Sequence, residues 1–130
     1  MIKYAIASLV AIGLVAGVPT ATPAATPHPH AKYKGPSLEG QVKGTVVIVA
    51  ATKTRLAKIK HVDTCGVVHK VKNVRVNPNG TFQASIKREH VNVDLWSISG
   101  RFVRGGTKAK GLIKQVGCTG DDARFRSLKK

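Results

Sequence analysis

Val91-Asn-Val-Asp-Leu-Trp-Ser-Ile-Ser-Gly-Arg-Phe-Val103, then Arg104-Gly105-Gly106-Thr107, then Lys108-Ala-Lys-Gly-Leu-Ile-Lys-Gln-Val-Gly-Cys118, is the stretch from which the fold is read. β-Branched and aromatic residues on either side of a glycine pair define a β-hairpin. Val91, Val93 and Leu95 share one parity, whereas Trp96, Ile98, Gly100 and Phe102 share the other. A one-residue slip moves every side chain to the opposite face, so a flat strand cannot bury both sets. The expectation is a β-bulge or bend near Leu95-Trp96. Beyond the turn, Ala109, Gly111 and Ile113 face one way, and Lys108, Lys110, Leu112 and Lys114 the other.

Working toward the N terminus, the same alternation recurs. Phe82, Ala84 and Ile86 alternate with Gln83, Ser85 and Lys87, after an Asn77-Pro-Asn-Gly80 turn. Proline presets φ in that turn, and asparagine and glycine accept left-handed backbone. Residues 67–87 therefore read as a second hairpin. Arg55 to His61 is a weaker strand, and Leu38 to Ala50 is a long one with period two. Toward the C terminus, Ala123 and Phe125 alternate with Arg124 and Arg126. About seven strands and no helix define an all-β class: an antiparallel β-sandwich, with a half-open small β-barrel as the alternative. Its core is expected to consist of Val, Ile, Leu and Ala around Trp96, Phe82, Phe102 and Phe125.

The N-terminal third has a different composition. Lys3 precedes an apolar run from Tyr4 to Val18, followed by small residues. The run is shorter than the ~20 residues of a membrane span and has the layout of a secretory signal peptide, assigned to 1–24. Cleavage falls between Gly17 and Thr26, with the site after Ala24 preferred. Five of the six prolines lie between Pro19 and Pro36, so 25–37 reads as a Pro-rich disordered linker and 38–130 as a single all-β domain. His28-Pro-His30 is not a copper site, because Pro27 and Pro29 lack the N–H such a site needs.

Lys and Arg number 22 against 6 Asp and Glu, a net charge of +16. Losing the leader removes only Lys3. An excess of this size attracts polyanions, whether cell-wall polymer, acidic polysaccharide or nucleic acid. The candidate anion-binding residues are Lys108, Lys110, Lys114, Arg124 and Arg126, which alternate with core positions on two strands. Lys58, Lys60, Lys70 and Lys72 repeat the pattern. No aromatic residues interleave with these bases, so the stacking platform of a single-strand nucleic-acid binder is missing.

Cys65 and Cys118 are the only cysteines, and in an exported chain they are expected to form one disulfide. No catalytic constellation is visible. His61, His69 and His90 are scattered, Asp121-Asp122 reads as a solvated turn, and no serine sits in a nucleophile elbow. No cofactor and no metal site is expected.

Ile98-Ser-Gly100-Arg-Phe102, Ala109-Lys-Gly111-Leu-Ile113, Cys118-Thr-Gly120 and Arg124-Phe125-Arg126, with the Asn-Gly turn before Phe82, resemble a pattern of small exported bacterial β-domains of uncharacterised function. The resemblance covers about residues 38–128. It implies an all-β fold with one disulfide and a bacterial, exported context, and it carries over no catalytic or binding residue. The functional expectation is a secreted or cell-envelope, monomeric, non-enzymatic binding or structural module. The alternatives are an electrostatic polyanion binder and a small secreted inhibitor presenting loop 103–108.

Overall fold

The computed structural model describes residues 25–39, 42–87, 94–115 and 122–130. Eight strands follow one another: β1 (Lys32–Glu39), β2 (Val42–Thr52), β3 (Arg55–Val62), β4 (Val68–Arg75), β5 (Thr81–Lys87), β6 (Asp94–Val103), β7 (Lys108–Gln115) and β8 (Ala123–Lys129). They form a single antiparallel sheet in the order β4-β3-β2-β1-β8-β7-β6-β5. The sheet curls into a nearly closed barrel, so the half-open barrel replaces the two-layer sandwich. The interior is filled by inward residues of every strand, among them Tyr33, Ile48, Ile59, Phe82, Ile98 and Ile113.

The β6–β7 hairpin forms as expected, with Ile98 opposite Ile113 and Gly100 opposite Gly111. The expected bulge is present. Ile86 pairs with Trp96 but Lys87 pairs with Asp94, so Leu95 has no partner on β5. The slip turns Trp96, Ile98 and Phe102 into the core. A similar device explains the mixed pattern of β3 and β4. The β2–β3 ladder skips Ala57, and Asn73 takes a left-handed φ of 55°. The buried set changes there from Ile59 and His61 to Leu56 on β3; on β4 it includes Val74, followed by Val76 just beyond the strand.

Two expectations are corrected. Segment 25–37, read as a disordered linker, contains most of β1, which is the central strand joining the two halves of the sheet. Tyr33 is completely buried, and the segment before it buries Pro27 and Ala31. Its hydroxyl donates to the Gly106 carbonyl (2.6 Å) and accepts from the His28 N–H (3.0 Å). A Cβ at Gly106, where φ is +86°, would lie 2.0 Å from the Thr26 carbonyl oxygen. Glycine there permits both the turn and the close approach.

The second correction concerns the 67–87 hairpin. The Asn77–Gly80 turn is formed, with Gly80 N–H donating to the Asn77 carbonyl (2.8 Å). Yet β4 and β5 meet only through an isolated bridge at Val76–Phe82. Each takes its ladder from the other side, β4 from β3 and β5 from β6. The strongest turn in the sequence therefore marks the seam of the barrel. The first and last described strands, β1 and β8, are by contrast paired to one another.

Candidate binding face

Alternation on β6, β7 and β8 sends every second residue outward. Arg101 lies opposite Lys110, and Lys110 lies opposite Arg126, which makes a row of three cations across three strands. The next row along the strands runs Leu38, Arg124, Leu112, Ser99 across β1, β8, β7 and β6. Between the two rows lies a groove of about 820 Å³ with Pro36, Leu38 and Leu112 on its floor. Its cations are Arg101, Lys110, Arg124 and Arg126, and among the described residues no acid lines it.

Gly100 and Gly111 face each other and carry no inward side chain. A Cβ at Gly100 would stand 2.7 Å from the Phe82 ring and 2.9 Å from the Phe125 ring; at Gly111 it would stand 2.9 Å from the Phe125 ring. With no side chain at either position, the backbone lies close against those rings, and Gly111 itself lines the groove.

Of the five residues expected from the sequence, Lys110, Arg124 and Arg126 line the groove. Lys108 and Lys114 flank it on the outer face of β7, opposite Val103 and Ser97. Slight desolvation, then repulsion from Arg126, Arg104 and Lys110, lowers the Lys108 ammonium from its ordinary value. Sequence reasoning missed Arg101, although its parity with Ser97 and Ser99 marks it as outward. It also missed Pro36 and Leu38; Leu38 is 40 % exposed. Lys58 and Lys60 lie opposite Lys72 and Lys70 in a second cationic band on β3 and β4. Among the described acids, Glu39 and Asp63 are buried; Asp122 is exposed at the start of β8.

The histidines that look scattered in sequence are brought together. His61 and His69 are cross-strand partners on β3 and β4, with ring centroids 5.7 Å apart. Trp96 stacks on both, at 6.1 and 5.7 Å. The expected partners of Trp96 were phenylalanines; Phe82 and Phe102 instead pack with each other, and Tyr33 packs on Phe102. Trp96 Nε1 donates to His61 Nδ1 (3.1 Å). An indole N–H can only donate, so Nδ1 is the bare nitrogen and Nε2–H donates to Ser37 Oγ (3.0 Å). His61 is neutral, its pKa lowered to about 4 by burial and by His69. In this tautomer it cannot take the Ser37 proton, so the pair is not a nucleophile and base.

Asp63 shapes the β3–β4 turn. Its Oδ1 accepts from the N–H groups of Cys65 and Val67 (2.9 Å each), and Oδ2 from His69 Nε2 (3.0 Å). Burial pushes the carboxyl up, but these hydrogen bonds outweigh it and the net shift is downward. Nearby, Gln115 Nε2 and Thr64 Oγ1 donate to the buried Glu39 carboxylate. At the opposite end His28 is structural, joined to the Gly105 carbonyl (2.7 Å) through Nε2 and to Lys129 Nζ (2.9 Å) through Nδ1.

No described cysteine is free. Cys65 is exposed in the β3–β4 turn. Cys118, its expected partner, lies outside the described residues, as do His90 and Asp121. Among the described residues no group of three or more His, Cys, Asp or Glu could hold a metal. No helix among them is long and apolar enough to cross a membrane. No protein-family model, curated protein or solved structure matches the chain.

Proposed function

We propose that the protein is an exported, non-enzymatic binding module that engages anionic partners at the cell exterior through the outer face of β6, β7 and β8. The observation that carries this reading is the Arg101–Lys110–Arg126 row in cross-strand register. Like charges placed directly opposite one another destabilise a sheet, and an anion seated across the row relieves that repulsion. Export rests on the signal-like residues 1–24, and the Cys65–Cys118 disulfide and the resemblance to small exported bacterial β-domains accompany it.

Two observations favour binding over the competing readings. The His61 tautomer keeps the Ser37–His61 contact from serving as catalytic machinery. Loop 103–108, the segment an inhibitor would present, is held at Gly105 and Gly106 by His28 and Tyr33. The test is retention on dextran sulfate resin over a salt gradient. The wild type is expected to elute at progressively higher salt than Arg101→Gln, Lys110→Gln and Arg126→Gln variants. The slope of log affinity against log salt should flatten by about one unit per lost contact. Unchanged elution of the folded triple variant would return these residues to a solubilising role.

A further inference from the structure

We infer that the ligand of this groove is a single-chain anionic amphiphile, an acidic head group carrying one alkyl chain. The inference rests on the reading of the cationic face given above and specifies what it binds.

A face built only for a soluble polyelectrolyte needs cations and no apolar floor. Here the two are interleaved in register. The cation row Arg101–Lys110–Arg126 is followed, two residues along each strand, by the row Leu38–Arg124–Leu112–Ser99. Two residues of strand separate the rows by roughly 6.6 Å, and Leu38 and Leu112, two strands apart, stand roughly 10 Å from each other. An acidic head on the first row thus leaves an attached chain room to lie along the second. Pro36 extends the apolar floor. Leu38 is 40 % exposed, and Leu128 further along β8 is 57 % exposed. Exposed leucines beside a row of cations are a cost without a ligand and a contact with one.

The depression also selects against other anions. Nucleic acid bound without sequence preference rests its bases on aromatic side chains. Phe82, Trp96 and Phe102 face inward here, and Phe125, which borders the groove, is only 3 % exposed and offers no open ring face. A bilayer is flat, whereas this surface holds a groove, lined in part by Gly111. The groove therefore takes one chain at a time, with the head held by guanidinium and ammonium groups and the tail along Leu38, Leu112 and Pro36.

The test compares dodecyl phosphate below its micellar concentration with ethyl phosphate, by calorimetry on the full mature chain. Dodecyl phosphate should bind at least about tenfold more tightly, the gain from partly burying several methylenes. A Leu38→Ser/Leu112→Ser variant should lose that gain yet elute from dextran sulfate at the wild-type salt concentration, since both side chains point away from the core. Equal affinity for the two phosphates would overturn the inference while leaving the anion-binding face intact. So would a chain-length gain that survives the double serine substitution. Binding to phosphatidylglycerol-containing vesicles without binding to monomeric dodecyl phosphate would assign the face to a membrane surface instead. Only unchanged dextran sulfate elution of the Arg101→Gln/Lys110→Gln/Arg126→Gln variant would sink the underlying reading.

Discussion

Trp96 ties together burial, tautomer and pH dependence. Its indole is fully buried and its N–H fixes His61 in the neutral form. Trp96→Ala should cost about 3–5 kcal/mol from the cavity and leave His61 Nδ1 without its donor, measured by urea unfolding at neutral pH. The His61 shift sets a second expectation. The unfolded chain protonates this imidazole near its ordinary value of 6.5, the folded chain only near about 4. Its contribution to stability is thus complete above pH 6.5, is lost as pH falls toward 4, and stays lost below. The difference amounts to about 3 kcal/mol. Unfolding curves at pH 7.5, 5.5 and 4 should show that decline, and His61→Phe should flatten it. A wild-type stability that does not fall over this range would refute a buried neutral His61. The burial of Trp96 was legible from the parity clash around Leu95. Its imidazole partners were not, because His61 and His69 are joined by strand pairing and nothing in their spacing announces it.

At the scale of elements, β1 shows why part of the fold was hidden. Pro36 lies in an interior strand, where proline is rare because it cannot donate to a ladder. The structure meets that cost locally. The β1–β8 ladder runs from Tyr33 and Lys34 to Ser37 and Leu38 and skips Gly35 and Pro36. Gly35 is needed at that gap, since a Cβ there would lie 1.8 Å from the Arg126 carbonyl oxygen. Composition counted the prolines of 19–36 and saw a tether; the alternation Lys32, Tyr33, Lys34 was too short to oppose it. The cation row was half legible, because period two gives each strand's outward face but not which faces adjoin. The corrected boundary has a sharp consequence. A chain beginning at Leu38 lacks most of the strand that bridges β2 and β8, and should lose its cooperative thermal transition. A disordered linker could be removed without changing that transition.

On the scale of the whole molecule, up-and-down closure leaves one weak line. Seven of the eight neighbour contacts around the barrel are ladders of several residue pairs, and the eighth, β4 to β5, is a single bridge beside the Asn77–Gly80 turn. Inside that seam, stacking of His69 on Trp96 joins β4 to β6 across the gap. Cys65 lies in the turn before β4, and a bond to Cys118 would tie that end of the sheet to the chain beyond β7. In the chain-entropy account, closing a loop of this length is worth about 4 kcal/mol, so Cys65→Ala should lower stability by roughly 2–4 kcal/mol under oxidising conditions. The cost should fall mainly on the seam, because β4 has a complete ladder only with β3. Hydrogen exchange provides the measurement. In the wild type, amides of β4 and β5 that point into the seam should exchange fastest among the strand amides, whereas those of β1 and β8 should exchange only through global unfolding. In Cys65→Ala the seam amides should accelerate by a larger factor than those of β6 and β7. Uniform protection across all eight strands would mean that the barrel is fully closed in solution. Equal acceleration everywhere in the variant would mean that the cysteine stabilises the barrel as a whole and does not guard its open line.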